Sequence, residues 1–161
     1  MPGWSDFTVV SGGAAAALMG LLFVAVTLRI DAISRAPDLR SRAAQTLTLF
    51  SVALVAALLL AVPSQPRQVF GAELIALAVL GGVAMIALNK RAKRVPHQDP
   101  IARVLDRVGP NITTIVLIGA AGVCTALNET WGIYLVVPAA LAALIGGVLS
   151  AWVFLTSIAG G

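Results

Sequence analysis

The chain is short of most of what a soluble catalyst is built from. Charged residues make up only 11% of its 161 residues, against about 25% in an average soluble domain. A single cysteine, Cys124, excludes an intramolecular disulfide. With the single histidine, His97, it cannot assemble a zinc-type ligand set. No Lys or Arg occurs in the first 28 residues, so the positive n-region of a cleavable signal peptide is missing and the first apolar run is expected to stay as a membrane anchor. No nucleophile–base pair, phosphate loop or dinucleotide fingerprint is visible. The expectation is therefore a protein with no catalytic residues, no metal and no cofactor.

What the chain does have is apolar surface. Hydrophobic residues are 59% of the sequence and the mean hydropathy is +0.96. Those values exclude a disordered tail and a disulfide-built secreted domain, and they point to a polytopic membrane protein. The formal charge is +4 and the pI about 10.2. In a soluble protein that balance would suggest nucleic acid. Here no nucleic-acid partner is expected, because topology accounts for where the basic residues fall.

Five spans are predicted within one transmembrane domain over 1–161: roughly 7–28, 43–63, 69–89, 111–127 and 132–157. The charge-free run Phe7–Leu28 is 22 residues, or about 33 Å of helix against a hydrocarbon core of ~30 Å. Backbone groups in lipid must be bonded within their own segment, so helices are the expected form and the fold class is all-α. A barrel is excluded because the runs do not alternate apolar and polar residues. Between spans one and two lie Arg29, Arg35, Arg40 and Arg42; between three and four lie Lys90, Arg91, Lys93, Arg94, Arg103 and Arg107. The other connections hold only Arg67, so ten of the eleven basic residues share one side. The positive-inside rule makes that side cytoplasmic, with the N-terminus outside and the C-terminus inside. Trp4, Phe7, Phe70, Trp131 and Tyr134 are expected at the outer interface, and Trp152 and Phe154 near the inner one.

Residues 90–110 form the one sizeable polar piece. After KRAKR (90–94) and a proline-bounded loop, Asp99 and Pro100 open a short helix. Ile101, Val104, Leu105 and Val108 share one of its faces. This segment is expected to lie along the cytoplasmic membrane surface as an amphipathic helix. Lys90, Arg91, Lys93, Arg94, Arg103 and Arg107 are candidate contacts to anionic lipid headgroups, or simply topology signals. No internal repeat supports an inverted-repeat transporter.

Glu73 is the one carboxylate inside a span, about four residues from its outer end. It reads either as a proton- or ion-handling group or as an interfacial, hydrogen-bonded structural acid. Thr8, Ser11 and Tyr134 are predicted at similar depth and are candidate donors to it. Ser11, Gly12, Gly13, Ala16 and Gly20 form a small-residue face on the first span, suited either to packing within the protomer or to an oligomer or partner interface. Gly81, Gly82, Gly119, Gly122, Gly146 and Gly147 offer the same on other spans. Gln45, Thr46, Thr48, Asn89, Asn111, Thr113 and Thr114 make a polar layer near the inner end, for interhelical hydrogen bonds or an inward vestibule. Asn128-Glu129-Thr130 matches a glycosylation sequon, and Pro138 is positioned to kink the fifth span.

Trp4-x-x-Phe7, GGAAAALMGLLFVAV (12–26), RAAQTL (42–47) and GAEL (71–74) resemble a family of small bacterial membrane proteins common in high-GC organisms. Some of its members carry the label of modulator of the membrane-anchored AAA protease. The resemblance covers the first 75 residues or so. It implies a bacterial plasma-membrane protein without known catalysis, and it transfers no functional residue. Two functional readings are open. One is an accessory or regulatory protein whose small-residue faces pack against a membrane complex. The other is a homo-oligomeric ion channel or small transporter with Glu73 near its outer mouth. The expected partners are membrane lipids and either a membrane protein or further copies of the chain.

Overall fold

The computed structural model describes residues 3–28, 30, 37–92 and 109–159. Among these there is no strand. Five long helices follow one another: α1 (Ser5–Leu28), α2 (Pro37–Ala61), α3 (Arg67–Ala92), α4 (Gly109–Ala126) and α5 (Val136–Ala159). All five are long and apolar enough to cross a membrane, which makes the fold all-α and polytopic. The expected surface helix after Pro100, with Lys93, Arg94, Arg103 and Arg107, lies outside the described residues.

The helix ends differ from the sequence expectation in informative ways. Pro37 opens α2 six residues before the expected start, a position where its missing N–H costs nothing. Arg40 and Arg42 therefore belong to a helix and not to a loop. Gly109 and Pro110 begin α4. The fifth span is not one helix: a 3-10 turn, Gly132–Leu135, precedes α5. Pro138 then falls in the first turn of α5, where no intrahelical N–H is required, so the expected kink has no cause. Asn128 (φ 65°) ends α4 in the left-handed region. The Glu129 N–H donates to the Cys124 carbonyl at 2.9 Å and the Asn128 N–H to that of Thr125 at 3.0 Å. This paired closure normally uses glycine, and asparagine is the residue that substitutes for it best.

Helices α2, α3, α4 and α5 pack in a ring, each against its two neighbours, and α1 lies outside the ring against α2 with a slight contact to α5. The interior is built from small side chains. Among the described residues ten of the twenty buried hydrophobics are alanines, while Val9, Leu21, Leu80 and Ile145 are among the larger ones left on the outside. Lipid tails give helices no hydrophobic reason to associate, so the gain comes from close van der Waals packing, which small residues permit. Phe50, 1% exposed, is the largest fully buried side chain among the described residues, and its ring lies against Gly147 of α5, where it fills the place a β-carbon would take. Phe70, expected at an interface, is instead in the core with Leu74, Ile118 and Val136.

Candidate functional site

The register of the bundle defines two ends. Arg40, Arg42 and Lys90 stand at one, called the basic end here; the short connections 62–66 and 127–131 and the start of α1 stand at the other. Glu73 belongs to the second end. It sits in the second turn of α3, half-buried, and its carboxylate accepts a hydrogen bond from Nε2 of Gln65. Gln65 comes from the connection between α2 and α3, where Ser64 takes a left-handed conformation (φ 55°). Beside it is a cavity of about 60 Å³ lined by Leu59, Val62, Ser64, Gln65 and Phe70 among others.

The donors expected for Glu73 are engaged elsewhere. The Thr8 hydroxyl donates to the Trp4 carbonyl at 2.7 Å and the Ser11 hydroxyl to that of Phe7 at 2.6 Å. Tyr134 is exposed, with its ring 5.3 Å from that of Trp4, and Trp4 meets Phe7 edge-on at 5.6 Å. The physical reason is the position of α2. It stands between α1 and α3, so groups on α1 at the depth of Glu73 face α2 and not α3. Thr8 and Tyr134 thus share the aromatic cluster around Trp4, which ties the start of α1 to the turn before α5. The local pairing of Gln65 with Glu73, eight residues apart across the Pro63–Pro66 connection, was the signal available in the sequence.

The small-residue stretch of α1 splits into two faces. Ser11 and Ala15 are buried, and a β-carbon on Gly12 would lie 3.3 Å from that of Ala57 on α2. Gly13, Ala16 and Gly20 turn away from the bundle; a β-carbon on Gly13 or Gly20 would meet nothing within 4 Å. A close backbone-to-backbone contact lies elsewhere, between Gly71 of α3 and Gly122 of α4. Spacing gave a hint, since Gly122 and Ala126 are four apart and both meet Gly71.

Three hydroxyls of the polar layer at the basic end are satisfied within their own helices. Thr46, Thr48 and Thr113 donate to backbone carbonyls four residues earlier in their own helices. Such back-bonding satisfies a hydroxyl without a neighbour. One bond that joins two helices runs from Ser41 of α2 to the Leu88 carbonyl of α3 at 2.9 Å. Thr114 is fully buried and its Oγ1 has no hydrogen-bond partner. Lys90 is exposed at the end of α3, with Arg91 next to it in the helix. Among the described residues no three of His, Cys, Asp and Glu gather as a metal site would require.

Compared with models of protein families, with curated proteins and with solved structures, the chain matches none.

Proposed function

We propose that the protein is a small accessory or regulatory subunit that packs laterally against a membrane complex, with α1 as the docking helix. The observation that carries this reading is the open face of α1. Gly13, Ala16 and Gly20 follow at helical spacing on the side turned away from α2, with open space over both glycines. Such a face lets the backbone of a second helix approach closely, the main source of association in lipid. α1 is also the least enclosed of the five spans. The membrane is a bacterial plasma membrane, and the basic end faces the cytoplasm, which puts the N-terminus outside. The resemblance of the first 75 residues to small bacterial membrane proteins, some labelled modulators of a membrane-anchored protease, supports the same class.

The test is purification of the full chain from native membranes. One membrane protein is expected at a fixed ratio. Gly13→Leu or Gly20→Leu is expected to release it while leaving the protein folded, because a β-carbon at either position meets nothing of its own chain within 4 Å. Purification alone in every detergent tried would overturn the reading. Recovery only as a dimer of itself would assign the face to self-association.

A further inference from the structure

We propose that the crevice between α1 and α2 at the basic end binds one anionic phospholipid, with an acyl chain along its floor and the headgroup phosphate on Arg40. The crevice has a volume of about 450 Å³. Leu22, Phe23 and Val26 of α1 and Ala43, Ala44 and Leu47 of α2 form its walls, and the exposed Arg40 lines it as well. From Arg40 to Leu47 is seven residues of helix, about 10 Å at 1.5 Å per residue. Half of a ~30 Å hydrocarbon core is about 15 Å deep, so the walls cover most of the reach of a chain in one leaflet.

Charge and backbone bonding decide between occupants. A helix seated there would need an acidic side chain at the level of Arg40 to answer its charge, whereas a phospholipid carries its anion at headgroup depth. An extended peptide would bring unbonded N–H and C=O groups against apolar walls, which lipid-depth environments do not tolerate. A phospholipid has neither difficulty. The charge decides the headgroup. Arg40 is exposed, and its guanidinium offers paired N–H donors to phosphate oxygens. Basic pockets between helices on this side of a membrane favour anionic headgroups. The chain supplies its own contrast. On the other flank of α1 a second crevice, about 200 Å³, is walled by Leu18, Leu21, Ala25, Phe50, Val148 and Trp152, with no cation. It can take a chain but has nothing to select a charge.

The experiment is native mass spectrometry of the full-length protein from mixed micelles holding phosphatidylglycerol and phosphatidylcholine with the same acyl chains. The wild type is expected to retain one phosphatidylglycerol in preference to phosphatidylcholine. Arg40→Gln removes the charge and keeps the walls, and is expected to lower phosphatidylglycerol retention about fivefold, the worth of one basic residue near a lipid surface. Ala44→Phe keeps the charge and fills the crevice, and is expected to lose the same lipid; Ala44→Leu is the smaller filling to use where the phenylalanine variant does not fold. Arg67→Gln, at the opposite end, is expected to behave as wild type. Equal retention of the two lipids by the wild type would overturn the proposal. So would loss in Arg40→Gln without loss in either filled variant, which would put the lipid on the charged surface and outside the crevice.

Discussion

Gly71 and Gly122 meet through their backbones: a β-carbon on Gly122 would lie 2.8 Å from the Gly71 carbonyl oxygen, and one on Gly71 2.7 Å from that of Gly122. Neither obstacle is a flexible side chain, so nothing can swing aside. Gly122→Ala must push α3 and α4 apart along their whole contact, and overpacking of this kind costs about 1–3 kcal/mol. Gly20→Ala, over open space, is expected to change stability by no more than about 0.5 kcal/mol. Reversible unfolding in mixed micelles, followed by circular dichroism, compares the two. Equal midpoints would mean that the helices do not touch at this pair.

The bond between Gln65 and Glu73 gives a second prediction. Both residues are half-buried and the acceptor is a carboxylate. The pair is expected to contribute about 0.5–1.5 kcal/mol, the usual net worth of such a bond. A double-mutant cycle with Gln65→Ala and Glu73→Ala isolates that coupling. Strict additivity of the two changes would show that the connection is held by its backbone alone.

Thr114 predicts a gain. Its hydroxyl is buried without a partner. A donor in that state forfeits about 1–3 kcal/mol relative to one that is bonded. Thr114→Val keeps the shape and removes the unmet group, so the variant is expected to unfold later than the wild type by roughly 1 kcal/mol. A loss of stability instead would mean that the hydroxyl has a bonding partner in the membrane-embedded protein.

These sites also mark how far the sequence could be read. The five spans were legible because charge is costly in hydrocarbon: four charge-free runs are long enough to cross it, and the third span carries only Glu73, close to its end. The facing of each helix was not legible. In a soluble bundle the polar side of a helix identifies its buried side. Here both sides are apolar, and interior alanines alternate with lipid-facing valines and leucines. Gly12 and Gly13 are adjacent and chemically identical, yet one packs on Ala57 and the other on nothing. Only the helix neighbours decide which. The same gap misplaced the donors of Glu73, since depth along a span says nothing of the α2 that intervenes between Thr8 and Glu73. Phe70 went wrong for a related reason: an aromatic ring near a span's end suits an interface or a core equally well.

Orientation is the property on which the function most depends, and it has a direct test. The two ends of the bundle differ in charge. Arg40, Arg42 and Lys90 lie at one, and Arg67 is the sole basic residue near the other. Cytoplasmic retention of Lys and Arg acts on short flanking segments, within about 15–20 residues of a span end, and all of these qualify. In a Cys124→Ala background, single cysteines at Ser64 and Glu129, both exposed, are expected to react with a membrane-impermeant maleimide added to intact cells. A cysteine at Lys90, also exposed, is expected to react only after the cells are opened. Ser64 and Glu129 lie in connections and Lys90 in the last turn of α3, so labelling reports sidedness and not unfolding. The reverse pattern would place the α1–α2 crevice in the outer leaflet and reverse the side from which a partner could reach the basic end. Reaction of all three positions from outside would mean that the five helices do not all span the membrane, whatever their length and composition permit.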